Sequence, residues 1–224
     1  VLNLRQRLRD LVGNDIAGVT TLTFHGLALR LTGRSLALNN GVNESFDLER
    51  IIPEAIALLQ GERETIGFAA DEACETLLAR YSHILVDEYQ DIDSDQYQLI
   101  SLLAGRTRQE KEAKLAILAV GDDDQNIYRF RGANVDFIRR FHRDYEAEIH
   151  YLVENYRSSA QIIAAANQLI ACNRDRMKTE HPIRINRARA GLPAGGNWQM
   201  LDSLAKGRVQ VLEVDDERCQ AAAL

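Results

Sequence analysis

Leu4, Leu8, Leu11 and Val12 recur at helical spacing, so the chain opens on an amphipathic helix. Val19 to Phe24 then reads as a β-rich strand leading into a second apolar helix through Leu27, Ala28 and Leu31. From Leu36 to Asn43 the composition turns polar and rich in Gly and Asn. Two more helical patterns follow, one through Ile51, Ile52, Ala55, Ile56 and Leu59, the other through Ala69, Ala73, Leu77 and Leu78. Pro53 has no N–H to give a helix interior, which places the start of its helix near Ile52. This stretch reads as a small helical insertion.

Three short apolar runs come next, Ile84 to Val86, Leu115 to Val120 and Ile149 to Val153, each followed by polar residues and a helical pattern. The helices are expected at Ser94 to Leu103, Asn134 to Phe141 and Ser158 to Cys172, the last with a capping box of Ser158 and Gln161. Strands alternating with helices predict an α/β fold whose parallel sheet is covered on both faces. Gly191, Pro193, Gly195 and Gly196 mark a loop, and Val209 to Val214 reads as one more strand.

With 224 residues, a compact chain buries roughly 70% of its unfolded surface, so a substantial core is expected. Apolar residues make up 46% and charged residues 27%, a composition that excludes a disordered tail or a fibre. No apolar run approaches the roughly 20 residues that span a bilayer, so no membrane partner is expected. Cys74, Cys172 and Cys219 are too scattered for a zinc site or a disulfide framework, and a cytoplasmic location fits them best. The net charge of −6 argues against nucleic-acid binding by bulk electrostatics and leaves room for a local groove. Basic residues cluster at Arg139, Arg140 and Arg143, and again at Arg174, Arg176, Lys178, Arg184, Arg187 and Arg189, a pattern that a solvated face satisfies equally well.

In open parallel sheets, ligands bind beyond the carboxyl ends of the strands. After Val86 come Asp87 and Glu88, then Tyr89, Gln90 and Asp91. Adjacent carboxylates there suit a Mg²⁺ nucleotide site, one acid holding the metal and the other acting on the attacking water; an acidic solvated turn has the same pattern. After Val120 come Gly121, Asp122, Asp123 and Asp124. A calcium loop fails on spacing, because Ile127 stands where that loop needs Gly and Ala133 where it needs Glu. Gln125 is placed to report on a terminal phosphate. In Tyr128-Arg129-Phe130-Arg131 an extended backbone sets both rings on one side and both guanidiniums on the other, the chemistry of a single-strand track; the rival reading anchors both rings in the core. Tyr156 and Arg157 stand at the head of a helix, suited to an adenine ring and a phosphate, although a surface arginine is also common there. Thr23, Phe24, His25 and Gly26 form a turn into a helix, where a histidine is more often structural than catalytic.

In this order, Thr23-Phe24-His25, Val86-Asp87-Glu88-Tyr89-Gln90-Asp91, Val120-Gly121-Asp122 through Gln125 to Tyr128-Arg129-Phe130-Arg131-Gly132-Ala133, and Asn155-Tyr156-Arg157-Ser158 closely resemble the UvrD/Rep/PcrA type of superfamily 1 DNA helicase. The resemblance runs from about Asn3 to the end of the chain and is weakest from Leu36 to Ala79. It implies a RecA-like P-loop NTPase fold, with residues 1–40 and 81–150 in a first motor lobe, 41–80 as a small insertion and 151–224 beginning a second lobe. It implies ATP and Mg²⁺ as cofactors and single-stranded and duplex DNA as partners. Asp87 then holds the metal, with Glu88 beside it as general base, and Gln125 couples the γ-phosphate to the DNA-contacting segment. Tyr128 and Phe130, flanked by Arg129 and Arg131, become base-stacking rings, Phe130 standing where a Trp is frequent. Phe24 and His25 join the strand floor. Arg157 reaches the γ-phosphate and Tyr156 packs on adenine.

No Gly-Lys pair occurs, so the phosphate-cradling GxxxxGK[ST] loop has no counterpart in the chain. The resemblance places that loop upstream of Val1 and the later motifs beyond Leu224, and the chain alone is expected to lack useful ATPase or helicase activity. Two rivals belong to other classes. One is a metal-dependent nuclease using Asp87, Glu88, Asp91 and Asp122 to Asp124, with Glu112 and Lys114 in ExK spacing. The other is a non-catalytic DNA-binding module.

Overall fold

A computed structural model describes residues 2–33, 47–62, 79, 81–106 and 114–187. The helix expected at Ala69 to Leu78, the strand at Val209 to Val214, the loop at Gly191 to Gly196, Glu112 and Arg189 lie outside the described residues. The chain divides into two compact units, Val1–Ala147 and Glu148–Leu224.

In the first unit, α1 (Leu2–Val12) runs into a 3-10 turn, Gly13–Gly18. Residues 19–23 do not pair as the expected strand. They have no ladder partner among the described residues, and Thr23 instead turns the chain into α2 (Phe24–Leu31), its hydroxyl oxygen accepting from the Gly26 N–H at 3.1 Å. Helix α3 (Leu48–Leu59) begins a turn earlier than Pro53 predicts. Asp47 caps it by accepting from the Glu49 N–H at 3.0 Å, and Pro53 sits inside the helix on its exposed side. Its missing N–H forgoes a bond to the solvent-exposed Glu49 and its ring crowds that carbonyl, a cost of about 3 kcal/mol. Burying Ile51, Ile52 and Ile56 outweighs that, at about 1.5–3 kcal/mol each.

Strands β1 (His83–Val86) and β2 (Ala116–Ala119) are parallel, with Leu85 opposite Leu118 and Val86 opposite Ala119. Between them lies α4 (Ser94–Leu103), within the bounds expected from the sequence and capped by Asp93, whose carboxylate accepts from the Gln96 N–H at 2.9 Å. Ala28, Leu31, Ile51, Ile52, Ala55, Ile56, Leu99 and Leu103 make one core between α2, α3 and α4. Val86, Tyr89, Ile92, Tyr97, Ile100 and Phe137 make a second, directly beneath the end of β1. Only one face of the β1–β2 pair is covered by these cores. Leu85, 73% exposed, and Leu118, 56% exposed, stand side by side on the other face, so the expected two-sided cover is not met among the described residues.

The helix expected at Asn134 to Phe141 is two short ones, α5 (Asp136–Arg139) and α6 (Phe141–Tyr145). The Asn134 side chain accepts from the Asp136 N–H at 2.9 Å and delays the start. Arg140 marks the break, held by Asp144 at 3.0 Å and lying over the rings of Tyr97 and Phe137.

In the second unit, β3 (Glu154–Asn155) pairs in parallel with β4 (Arg184–Ile185), and α7 (Ala160–Ile170) packs against β4. Pairing starts just after the apolar run Ile149 to Val153, because Val153 contributes only its carbonyl, which accepts from the Arg184 N–H at 2.7 Å. The expected Ser158/Gln161 capping box is absent. Ser159 is the cap residue without a side-chain bond, and Oδ1 of the Asn155 side chain serves the turn instead, accepting from the N–H groups of Arg157 at 2.9 Å and Ser158 at 2.7 Å.

Candidate nucleotide and nucleic-acid site

The chemistry-bearing residues of the first unit gather where β1 and β2 end. Parallel pairing in register brings the two following loops side by side: the Val120 N–H donates to the Val86 carbonyl at 2.9 Å, and the Tyr89 N–H donates to the Val120 carbonyl at 2.9 Å. Asp87 and Glu88 leave β1 with both side chains exposed. The Glu88 N–H donates to Oδ1 of Asp87 at 3.0 Å. Glu88 occupies the left-handed region, with φ 52° and ψ 44°, a conformation that costs a residue with a Cβ free energy and that collects at functional sites.

Beneath the acids, Gln90 is 1% exposed and its amide is fully used. Nε2 donates to Oε2 of Glu88 at 2.8 Å and to Oδ2 of Asp91 at 3.4 Å, and Oε1 accepts from the Asp122 N–H at 3.0 Å. The Gln90 backbone carbonyl accepts from Nδ2 of Asn126. Asp91 is raised above the usual carboxylate range by burial first and by the Glu88 charge second, with the Gln90 amide opposing both.

After β2, Asp122 organises its own loop. Its carboxylate accepts from the Asp124 N–H at 3.0 Å and from Nε2 of Gln125 at 2.8 Å. Asp122, Asp123 and Asp124 bring carboxylate oxygens within 4.8 Å of one another. Asp122 is committed to these bonds and Asp123 faces Arg139 at 3.7 Å, so the triad reads as loop architecture. Of the first basic cluster, Arg139 and Arg140 thus serve internal ion pairs, and Arg143 is exposed.

Tyr128, Phe130 and Arg131 follow. Residues Arg129–Arg131 form a 3-10 turn rather than the extended backbone expected, closed by Gly132 at φ 87°, a value that favours a residue without a Cβ. The turn still sets the rings beside each other, 6.2 Å between centroids and tilted by 47°. The Arg131 guanidinium lies 5.7 Å from the Tyr128 ring and 5.5 Å from the Phe130 ring. Phe130 is 78% exposed and Tyr128 40%, so neither ring serves the core, and Arg129 is exposed beside them. Phe24 and His25, at the start of α2, are half-buried, and Phe24 packs against both cores.

In the second unit Tyr156 is 61% exposed and Arg157 is exposed. The Tyr156 hydroxyl donates to Oε2 of Glu154 at 2.7 Å, and Nδ2 of Asn186 donates to the same oxygen at 2.9 Å. These two bonds, Asn186 first, hold the Glu154 carboxyl below its usual range.

The UvrD/REP helicase N-terminal domain family matches residues 34–146, which contain both loops and every residue of the acid and aromatic clusters. The chain belongs to this family. DNA helicase II of Haemophilus influenzae is 49% identical over 98 residues, covering 44% of this chain and 12% of that protein. ATP-dependent DNA helicase UvrD1 of Mycobacterium bovis is 38% identical over 133 residues, covering 59% of this chain and 16% of that protein. ATP-dependent DNA helicase PcrA of Staphylococcus epidermidis is 36% identical over 135 residues, covering 60% of this chain and 16% of that protein. The chain therefore spans about 12 to 16% of the length of these relatives.

Within this UvrD/REP-family chain, the structure brings Asp87, Glu88 and Gln125 to adjoining loops and collects Tyr128, Phe130 and Arg131 into one exposed patch. The motif residue to which the sequence pattern assigns no role is Gln90. Its one sequence signal is a polar amide inside a run whose neighbours Tyr89 and Ile92 are buried.

Proposed function

We propose that the full-length protein is an ATP-dependent DNA helicase that couples Mg-ATP hydrolysis to movement along single-stranded DNA and to duplex unwinding, in the cytoplasm. The observation that carries this reading is the pairing of two exposed clusters on adjoining loops. Carboxylates stand after β1, and aromatic rings capped by a guanidinium stand after β2. Exposed rings next to arginines suit stacked bases and phosphates of a single strand.

The oxygen donors of Asp87 and Glu88 fit a hard cation. Magnesium, when bound there, neutralises charge on the phosphates. Asp87 would hold it, and the exposed Glu88 would accept the proton of the water that attacks the γ-phosphate. Gln125 senses that phosphate. In the second unit, the exposed Arg157 suits a γ-phosphate and the exposed Tyr156 an adenine ring. Tyr128 and Phe130 stack bases, Arg129 and Arg131 hold the strand backbone, and Phe24 with His25 extends the floor. This assignment carries a RecA-like first lobe over 1–40 and 81–150, an insertion over 41–80 and a second lobe from 151. The chain alone, without a Gly-Lys phosphate loop, is inactive. A nuclease reading leaves the exposed Tyr128 and Phe130 without a role.

The test is Glu88→Gln in the full-length protein. Single-strand-dependent ATP turnover is expected to fall by about 10²–10⁴-fold with nucleotide binding retained. Turnover like that of the wild type would refute the assignment.

A further inference from the structure

Gln90 is placed to do more than fill space. It is among the largest fully buried side chains, and each end of its amide serves a different loop. The donor end holds the Glu88 carboxylate at 2.8 Å; the acceptor end holds the Asp122 N–H at 3.0 Å. Asp122 in turn fixes Gln125 through the 2.8 Å bond to Nε2, and Asn126, which leads into Tyr128, donates to the Gln90 backbone carbonyl. A continuous set of hydrogen bonds thus runs from the acid after β1 to the segment carrying the exposed rings.

The space around this amide is tight on its other side. A Cβ on Gly121 would stand 2.6 Å from Oε1 of Gln90, 2.7 Å from Cδ1 of Ile138 and 3.1 Å from the Tyr89 backbone nitrogen. The bare glycine is what admits the amide. A buried polar group with both ends paired has a single low-energy orientation, because rotating it leaves donors or acceptors unpaired at about 1–3 kcal/mol each. Displacing the Asp122–Asn126 loop therefore redirects the amide, and with it the Glu88 carboxylate.

We propose that Gln90 is a positioning residue that transmits strand occupancy at Tyr128 and Phe130 to the orientation of Glu88, so that ATP turnover responds to single-stranded DNA. This rests on the reading of Glu88 as the hydrolytic base. At 1% exposure the residue acts through Glu88 and Asp122.

The experiment measures steady-state ATP turnover by the full-length protein, with and without an oligothymidine strand, for wild type, Gln90→Met, Asn126→Ala and Glu88→Gln. Methionine has a similar length and neither hydrogen bond; Asn126→Ala removes only the bond to the Gln90 carbonyl and guards against a misfolded Gln90→Met. For both, the ratio of strand-stimulated to strand-free turnover is expected to fall at least about threefold. For Gln90→Met, kcat with the strand falls at least about tenfold while the KM for ATP and the Kd for the strand stay within about twofold. Unchanged stimulation in Asn126→Ala and in a folded Gln90→Met overturns the proposal, as does a rise in KM and Kd parallel to the fall in kcat. Should Glu88→Gln turn over ATP normally, the site reading beneath the proposal fails; loss in Glu88→Gln with normal stimulation in the other two sinks the relay alone.

Discussion

The hydroxyl of Tyr97, on α4, donates to Oδ2 of Asp144, on α6, at 2.6 Å across 47 residues of sequence. Arg106 joins both partners, donating to the Tyr97 oxygen at 2.7 Å and to Asp144 at 3.1 Å, while Arg140 adds a 3.0 Å pair and lies 4.6 Å from the Tyr97 ring centroid. Tyr97 stacks on Phe137 at 4.3 Å, in the core beneath the acids. This cluster fixes α4 and α6 to one another behind the loops that carry the chemistry.

Asp144→Ala removes the acceptor of a buried hydroxyl and of two partly exposed guanidiniums and is expected to destabilise the fold by about 1–3 kcal/mol. Tyr97→Phe removes one hydrogen bond and keeps the stack, and is expected to cost about 1 kcal/mol. Denaturant unfolding of the two variants checks both. Equal losses would show that the arginine pairs of Asp144 add nothing beyond its hydrogen bond to Tyr97.

Replacing both Tyr128 and Phe130 by Ala removes rings that the core does not use. Single-strand affinity is expected to weaken by roughly 1–3 kcal/mol per lost stacked base, with little change in stability. Fluorescence anisotropy with a labelled oligonucleotide measures the first and thermal unfolding the second. Unchanged affinity would mean that the patch faces something other than DNA.

Asp91 carries a pH dependence of definite sign. Its folded value lies above 3.8, so between 3.8 and that folded value the native state holds a proton that the unfolded state has released. Stability from this group is therefore greatest at low pH and falls as the pH rises through that window. One Asp91 oxygen is buried without a hydrogen-bond partner. Asp91→Asn is expected to flatten the slope and to stabilise the protein at neutral pH, read from denaturation midpoints between pH 4 and 7. A steeper slope in Asp91→Asn would contradict this account.

Much of the framework is legible along the chain because it depends on local signals. Helix α4 announces itself through Asp93 and its apolar spacing, and β1 and β2 through apolar runs that end in acids. The errors arise where tertiary contacts decide. The start of α3 is misplaced because the local penalty of Pro53 is outweighed by the burial of Ile51 and Ile52. The turn at Arg129–Arg131 is read as extended because alternation alone carries no sign of the Gly132 closure. The break at Arg140 depends on Asp144 and the ring of Tyr97, and the bridging role of Gln90 depends on two loops that meet only after β1 and β2 have paired. Neither relation has a periodicity to find.

The proposed function turns on Asp87 and Glu88 as the acids that face Mg²⁺ and the γ-phosphate. A crystal structure of the full-length protein with Mg²⁺ and a non-hydrolysable ATP analogue tests it most directly. Asp87 is expected at the metal and Glu88 within hydrogen-bonding reach of a water in line with the γ-phosphate. Nucleotide bound away from Asp87 and Glu88 would contradict the account.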